Sequence, residues 1–315
     1  MKFIKDYKDG DRVFDIYLCK FKQSAMTKNG KAYDNVILQD KTGTIDAKIW
    51  DPNSAGIGEF DSLDYIEVYG DVNSFQGALQ INVKRVRLCQ EGEYDPADYL
   101  PVSSKNIDEM YRELTGIIQR IENPYLKMLM EDFFVRDTEF VKAFKASSAA
   151  KSVHHGFMGG LLEHTLSILK LCEYYCSTYP LLKRDLLISA ALCHDIGKTK
   201  ELSLFPENDY TDDGNLLGHI VMAVEMLNDK IRDIDGFPES LATELKHCIL
   251  AHHGELEYGS PKKPALMEAV ALNLADNTDA KMQTFTELIM STAETGWLGY
   301  NRLFESNLRM TRMEQ

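Results

Sequence analysis

The chain has little of what marks a secreted, membrane-spanning or nucleic-acid-coating protein. Its six cysteines, Cys19, Cys89, Cys172, Cys176, Cys193 and Cys248, contain no Cys-x-x-Cys pair, so each reads as a small buried hydrophobe in a reduced compartment. The apolar runs are too short to span a bilayer. The opening Met-Lys-Phe-Ile-Lys-Asp-Tyr-Lys-Asp puts charges where a secretory signal needs an apolar stretch. The expectation is a cytoplasmic protein with no membrane partner. Positive charge is also short: 35 Lys+Arg against 49 Asp+Glu leave a formal charge of -14. That excludes a wholly basic coating protein, and any polyanion must be met locally, by metal ions or clustered lysines. Histidine is scarce as well, with eight in 315 residues.

What is present is a globular composition, 44% hydrophobic and 10% aromatic, long enough for two domains. Residues 11 to 88 alternate with period two and carry no helix-length apolar stripe. Strands are expected at Val13 to Phe21, Ala32 to Leu38, Gly43 to Trp50, Tyr65 to Val72 and Leu79 to Leu88. Turn residues separate them, as in Asp40-Lys41-Thr42-Gly43 and Asn73-Ser74-Phe75-Gln76-Gly77. Five such strands with a lysine-bearing first hairpin fit a small closed barrel.

In Tyr33-Asp34-Asn35-Val36-Ile37-Leu38-Gln39-Asp40-Lys41-Thr42-Gly43-Thr44-Ile45 this segment resembles the OB-fold nucleic-acid-binding module, which uses basic and aromatic side chains on its second and third strands and adjoining loops. By position the candidates are Lys28, Lys31, Tyr33, Lys48, Trp50 and Phe75. Filling or rimming the barrel is the competing reading for the aromatics, and a solvated surface for the lysines. The first hundred residues hold 13 Lys+Arg against 17 Asp+Glu, so binding by this domain alone should be weak and salt-sensitive.

The chain is thus expected to be multidomain α and β: a five-stranded OB-type barrel over 1–90, a linker over 91–105, bracing helices over 106–150, and a helical domain over 151–315. Five histidines and two aspartates fall at one or two per helix in that last part: His164, His194, Asp195, His219, His252, His253 and Asp276. Converging on a bundle interior, such residues build dinuclear sites. Buried imidazoles and carboxylates at this density need positive charge, and a pair of divalent ions supplies it. A lone histidine is more often a hydrogen-bonded core residue. Core packing gives no reason, however, for a His-Asp pair, a His doublet and a downstream helical aspartate together.

The pattern His164, His194-Asp195, Asp276, in the contexts Gly-Gly-Leu-Leu-Glu-His-Thr and Cys-His-Asp-Ile-Gly-Lys, resembles the HD superfamily of metal-dependent phosphohydrolases. With an OB module ahead, the chain resembles the YhaM-type 3′→5′ exoribonucleases. The resemblance implies an all-α HD-type domain in which His164, His194, Asp195 and Asp276 hold one ion. His219, His252 and His253 would hold a second, with Asp195 bridging. Gly160 stands one turn before His164, where three-metal variants carry a glutamate, so two ions are expected. Imidazole and carboxylate donors without thiolates suit manganese, iron, cobalt, nickel or zinc, and the resemblance favours manganese or cobalt.

Two ions would acidify a bridging water and neutralise charge on the phosphoryl group. Asp195 and Lys198 are the catalytic candidates, Lys198 reaching a phosphate oxygen; a helix-capping surface lysine is the alternative. His154 and His155 are placed at the substrate, with a hydrogen-bonded structural histidine as the competing reading. The implied activity is hydrolysis of single-stranded RNA, with single-stranded DNA a further strand, to nucleoside 5′-monophosphates, and the assembly leaves a homo-oligomer open. Two other readings stand beside it. One is an HD phosphohydrolase of small nucleotides or cyclic dinucleotides, against which no Gly-Tyr-Pro triplet follows the metal motif. The other is an inactive nucleic-acid-binding adaptor, against which stands the complete ligand set.

Overall fold

The computed structural model describes residues 2–27, 29–151, 155–291 and 296–311. Lys28 and His154, both expected at the substrate, lie outside the described residues. The chain divides into two compact units, Met1–Pro101 and Val102–Gln315.

The first unit is a closed five-stranded barrel built from β1 (Arg12–Met26), β2 (Ala32–Asp40), β3 (Gly43–Ile49), β4 (Tyr65–Phe75) and β5 (Ala78–Leu88). Its strand order is β1-β2-β3-β5-β4, antiparallel except for β3 beside β5, which is the Greek-key order of an OB fold. Alternation explains it: Val36 and Leu38 turn inward while Asn35 and Ile37 turn outward. Val13, Tyr17, Val68, Val72 and Ile81 close the core with no exposed surface. Each fully buried aliphatic side chain contributes about 1.5–3 kcal/mol. Strand β1 runs five residues past the expected end at Phe21, because a bulge between Cys19 and Phe21 lets the hairpin with β2 continue to Met26 opposite Ala32. That extension buries little, so no hydrophobic period marks it.

Part of the expected linker belongs to the barrel. Tyr99 and Leu100 are buried, Tyr94 stacks on Tyr65 at 3.8 Å between ring centroids, and Gln39 Nε2 donates to Tyr99 O at 3.0 Å.

The second unit is helical: α1 (Ile107–Gln119), α2 (Pro124–Glu131), α3 (Thr138–Ala146), α4 (Gly160–Thr178), α5 (Arg184–Cys193), α6 (Lys198–Glu201), α7 (Asp212–Arg232), α8 (Glu239–Leu250) and α9 (Met267–Ser291). Asn106 caps α1 by accepting from Glu109 N, and Phe133, Phe134, Phe140 and Phe144 pack edge-on around α3. Helix α5 is buried from Leu186 to Cys193, the signature of a helix with neighbours on every side. A hairpin of β6 (Trp297–Asn301) and β7 (Ser306–Arg309) follows α9, an element no sequence pattern had indicated. Among the described residues no helix is long and apolar enough to cross a membrane.

Candidate metal centre and nucleic-acid interface

Two helix ends present histidines in the same way. His194 follows the last turn of α5 and its Nδ1 donates to Ala191 O at 2.9 Å. His252 follows α8 and its Nδ1 donates to Ile249 O at 2.7 Å. Carbonyls in the last turn of a helix lack intrahelical partners, and the ring N–H satisfies one. Since a neutral imidazole has one donor and one acceptor, donation from Nδ1 makes Nε2 a lone-pair donor aimed away from the helix. His253 repeats the device on Tyr258 O at 2.8 Å. For His219 the acceptor is Glu201 Oε1, 3.0 Å from Nδ1 and 2.9 Å from the backbone N of the same residue. His164 Nδ1 meets Asp279 Oδ2 at 2.7 Å.

Asp195, 2% exposed, stands where these rings converge. Its Oδ2 lies 3.4 Å from His164 Nε2, 3.3 Å from His194 Nε2 and 2.7 Å from Lys198 Nζ. Its Oδ1 lies 3.4 Å from His219 Nε2 and 3.7 Å from His252 Nε2. Asp276, carried by α9, puts Oδ1 3.3 Å from His164 Nε2. His164, His194 and Asp276 form one compact group of donor atoms, and His219, His252 and His253 another. All seven sequence-expected ligands come together.

Whether cations fit here is decided by the orphaned atoms. Asp195 Oδ1, His219 Nε2 and His252 Nε2 are buried without a hydrogen-bond partner among the described residues. With both Nδ1 atoms committed as donors, these positions set lone pairs against a carboxylate oxygen. Such an arrangement is stable only around positive charge. The electrostatics of Asp195, His252 and His253 agree. Burial opposes ionisation of Asp195, but Lys198, His194 and His164 outweigh it and hold its carboxyl well below the usual carboxylate range. Burial, reinforced by His253 and His194, pushes the His252 imidazole well down, to the neutral ligating form. His253 is lowered too, by burial and by His219. Burial also disfavours charge on His164, yet Asp195, Asp276 and Asp279 prevail and raise it.

Two glycines permit this packing. A Cβ on Gly197 would sit 2.0 Å from His219 O, so only glycine lets the loop after Asp195 touch α7. Gly218 has φ +74 and breaks α7, freeing the N–H of His219 to reach Glu201.

Residues 161–281 match the HD domain family. A relative from Geobacillus sp. (strain WCH70), named 3′-5′ exoribonuclease YhaM, is 35% identical over 283 residues, covering 89% of this chain and 86% of the relative. The chain belongs to the YhaM family. Solved structures similar to part of it include the second OB-fold domain of replication protein A from Methanococcus maripaludis (TM-score 0.22, 19% identity, 30% of this chain and 98% of that chain). Another is the p204 HINb domain (TM-score 0.24, 14% identity, 28% of this chain and 46% of that chain).

In this YhaM-family chain one expected substrate contact, His155, stands elsewhere. His155 is 2% exposed and its Nε2 bonds Asp279 Oδ2 at 2.9 Å; a left-handed turn, φ +57, carries it inward. Lys198 rests on Asp195, with its side chain 14% exposed. Sequence reasoning missed Asp279 and Glu201, which orient His164 and His219. Asp279 had a signal, lying one turn beyond Asp276 on the same helical face; Glu201 had none.

On the barrel, Tyr33 and Trp50 stack at 5.3 Å with 26° between planes. Lys48 Nζ lies 5.9 Å from the Tyr33 ring centroid and bonds Asn35 Oδ1, while Trp50 Nε1 donates to Asn82 Oδ1 at 3.1 Å. Trp50 is 47% exposed, so it rims the barrel wall and does not fill the interior. Lys31 lies in the β1–β2 turn, and exposed Phe75 ends β4 at the β4–β5 turn; neither joins this group.

Proposed function

We propose that this chain is a 3′→5′ exoribonuclease that uses two divalent ions, manganese or cobalt, to release nucleoside 5′-monophosphates from single-stranded RNA, with single-stranded DNA also accepted. Membership of the YhaM family supports the reaction class, and the HD domain supports metal dependence. One observation carries the ion count: the two oxygens of Asp195 face different histidine groups, Oδ2 toward His164 and His194, Oδ1 toward His219 and His252.

On this reading His164, His194 and Asp276 would hold one ion and His219, His252 and His253 the other, with Asp195 offering one carboxylate oxygen to each group. When bound, the ions supply the positive charge that stabilises the phosphoryl transition state and acidify the attacking water. The chain's own residues do the rest. Backbone carbonyls under His194, His252 and His253 fix the ring tautomers. Asp279 and Glu201 do the same for His164 and His219. Lys198, beside Asp195, meets a non-bridging oxygen of the scissile phosphate. Water attacks phosphorus and the bond to the penultimate 3′ oxygen breaks. The terminal nucleotide departs with a 5′-phosphate, and the shortened strand keeps a 3′-hydroxyl. Tyr33, Lys48 and Trp50 hold the strand upstream through stacking and charge.

Oligoribonucleotides labelled at either end test this with manganese-loaded protein. Immediate mononucleotide release from the 3′-labelled strand, with stepwise shortening of the 5′-labelled one, is expected. Internal cuts, or hydrolysis of free nucleotides alone, would overturn the reading.

A further inference from the structure

The outward positions of a barrel strand are normally polar, yet Phe14 on β1 is 70% exposed, next to fully buried Val13. It is not isolated. Phe14 pairs across the sheet with Tyr69 on β4, and Tyr69 pairs with Arg85 on β5, so an aromatic, an aromatic and a guanidinium form one row over three strands. The two rings meet edge-on, centroids 6.3 Å apart at 68°. In the next row Arg87 is committed to Glu67 and Glu93, both at 2.8 Å, whereas among the described residues no carboxylate pairs with Arg85.

The row lies in a cavity of about 530 Å³ lined by Phe14, Gly56, Glu67, Tyr69, Arg85 and Arg87, within the roughly 300–1,000 Å³ of small-ligand sites. Its rim is fixed: Gly58 N donates to Val86 O at 2.8 Å and Val86 N donates to Gly56 O at 2.9 Å. The cavity lining comes from β1, β4, β5 and the loop at Gly56, whereas Tyr33 lies on β2 and Trp50 just past β3.

From this row we infer a second nucleobase site, in which a base stacks on Phe14 and Tyr69 while its phosphate pairs with Arg85. The chemistry is that of sequence-tolerant strand binding: a ring face accepts any base and a guanidinium accepts the backbone or stacks in turn. The inference rests on the proposed exoribonuclease reading and adds that a long strand contacts two sectors of the barrel, whereas a short one is satisfied by the Tyr33–Trp50 stack.

Full-length protein in chelator, which prevents cleavage, is titrated with strands of about 4 and about 16 nucleotides, the extremes of a single OB footprint. Phe14→Ala and Arg85→Ala should each weaken the longer strand about tenfold and leave the shorter unchanged, with Phe14→Trp restoring affinity. A photoactivatable thiouridine in the longer strand should cross-link to Tyr69. Native affinity of Phe14→Ala and Arg85→Ala for the longer strand, with no cross-link on β4, overturns the second site. Dinucleotide hydrolysis by the same variants, loaded with manganese, separates the two failures: it stays native if only the second site is wrong, and is absent from native protein too if the exonuclease reading is wrong.

Discussion

Asp279 accepts a 2.7 Å hydrogen bond from His164 Nδ1, one turn beyond Asp276 on the same helix. It therefore aims a ring that it cannot itself replace. Burial works against the Asp279 carboxylate, but His155 and His164 hold it well below the ordinary range. Asp279→Ala is expected to lower ion affinity or turnover about 10- to 100-fold, as measured by calorimetric metal titration and mononucleotide release. An unchanged titration would show that His164 is aimed by packing alone.

Asp195→Ala should remove both ions at once. Elemental analysis of the variant is expected to find neither, and turnover should be lost with them. A variant retaining one equivalent of metal and measurable activity would refute the shared carboxylate.

Gly197→Ala tests the approach of the Asp195 loop to α7. The new methyl, 2.0 Å from His219 O, forces backbone movement at a cost of about 1–3 kcal/mol. Thermal denaturation should show that loss, and metal titration a selective weakening of the site that includes His219. Equal weakening of both sites would indicate general loosening instead.

Trp50 is one of two tryptophans, the other being Trp297. In a Trp297→Phe background, single-stranded RNA should quench the remaining emission. Trp50→Ala should weaken strand binding by about 1–3 kcal/mol, with fluorescence titration and a labelled-strand competition as the two measurements. Unquenched emission with native affinity would move the strand elsewhere.

Acid stability can be read at Glu173, which accepts from Arg184 Nε at 3.0 Å and Nη2 at 2.6 Å and from Arg120 at 3.1 Å. Arg184 lowers its carboxyl most; burial opposes and Arg120 adds. A depressed folded pKa stabilises fully above the unfolded carboxylate value of about 4.3 and is lost as pH falls through the folded value. Glu173→Gln should therefore cost about 1 kcal/mol at neutral pH and progressively less in acid. Urea midpoints that stay equally far apart at both pH values would contradict the assignment.

The barrel strands and most helices were legible because one face of each is apolar at a fixed period, as in Val36 and Leu38 on β2. The far half of β1, from Lys22 to Met26, was not, since backbone pairing without burial leaves no mark in side-chain order. The ligands could be read as a set because His-Asp and His-His are adjacent in the chain. Their orienting partners could not. Glu201 reaches His219 only because α7 breaks at Gly218. Of the two readings of His155 the structural one holds, because a left-handed turn, φ +57, carries its ring inward to Asp279, and sequence order does not announce such a turn.

The hydrogen bonds from His194 and His252 to the carbonyls three residues behind them have one more implication. They hold the centre against the negative ends of α5 and α8, where the aligned peptide dipoles amount to about half an electronic charge each. Part of the attraction for cations thus comes from the main chain, which no side-chain substitution removes. Replacing a single histidine ligand, with Asp195 left in place, should therefore weaken cation binding at this point of the fold without abolishing it.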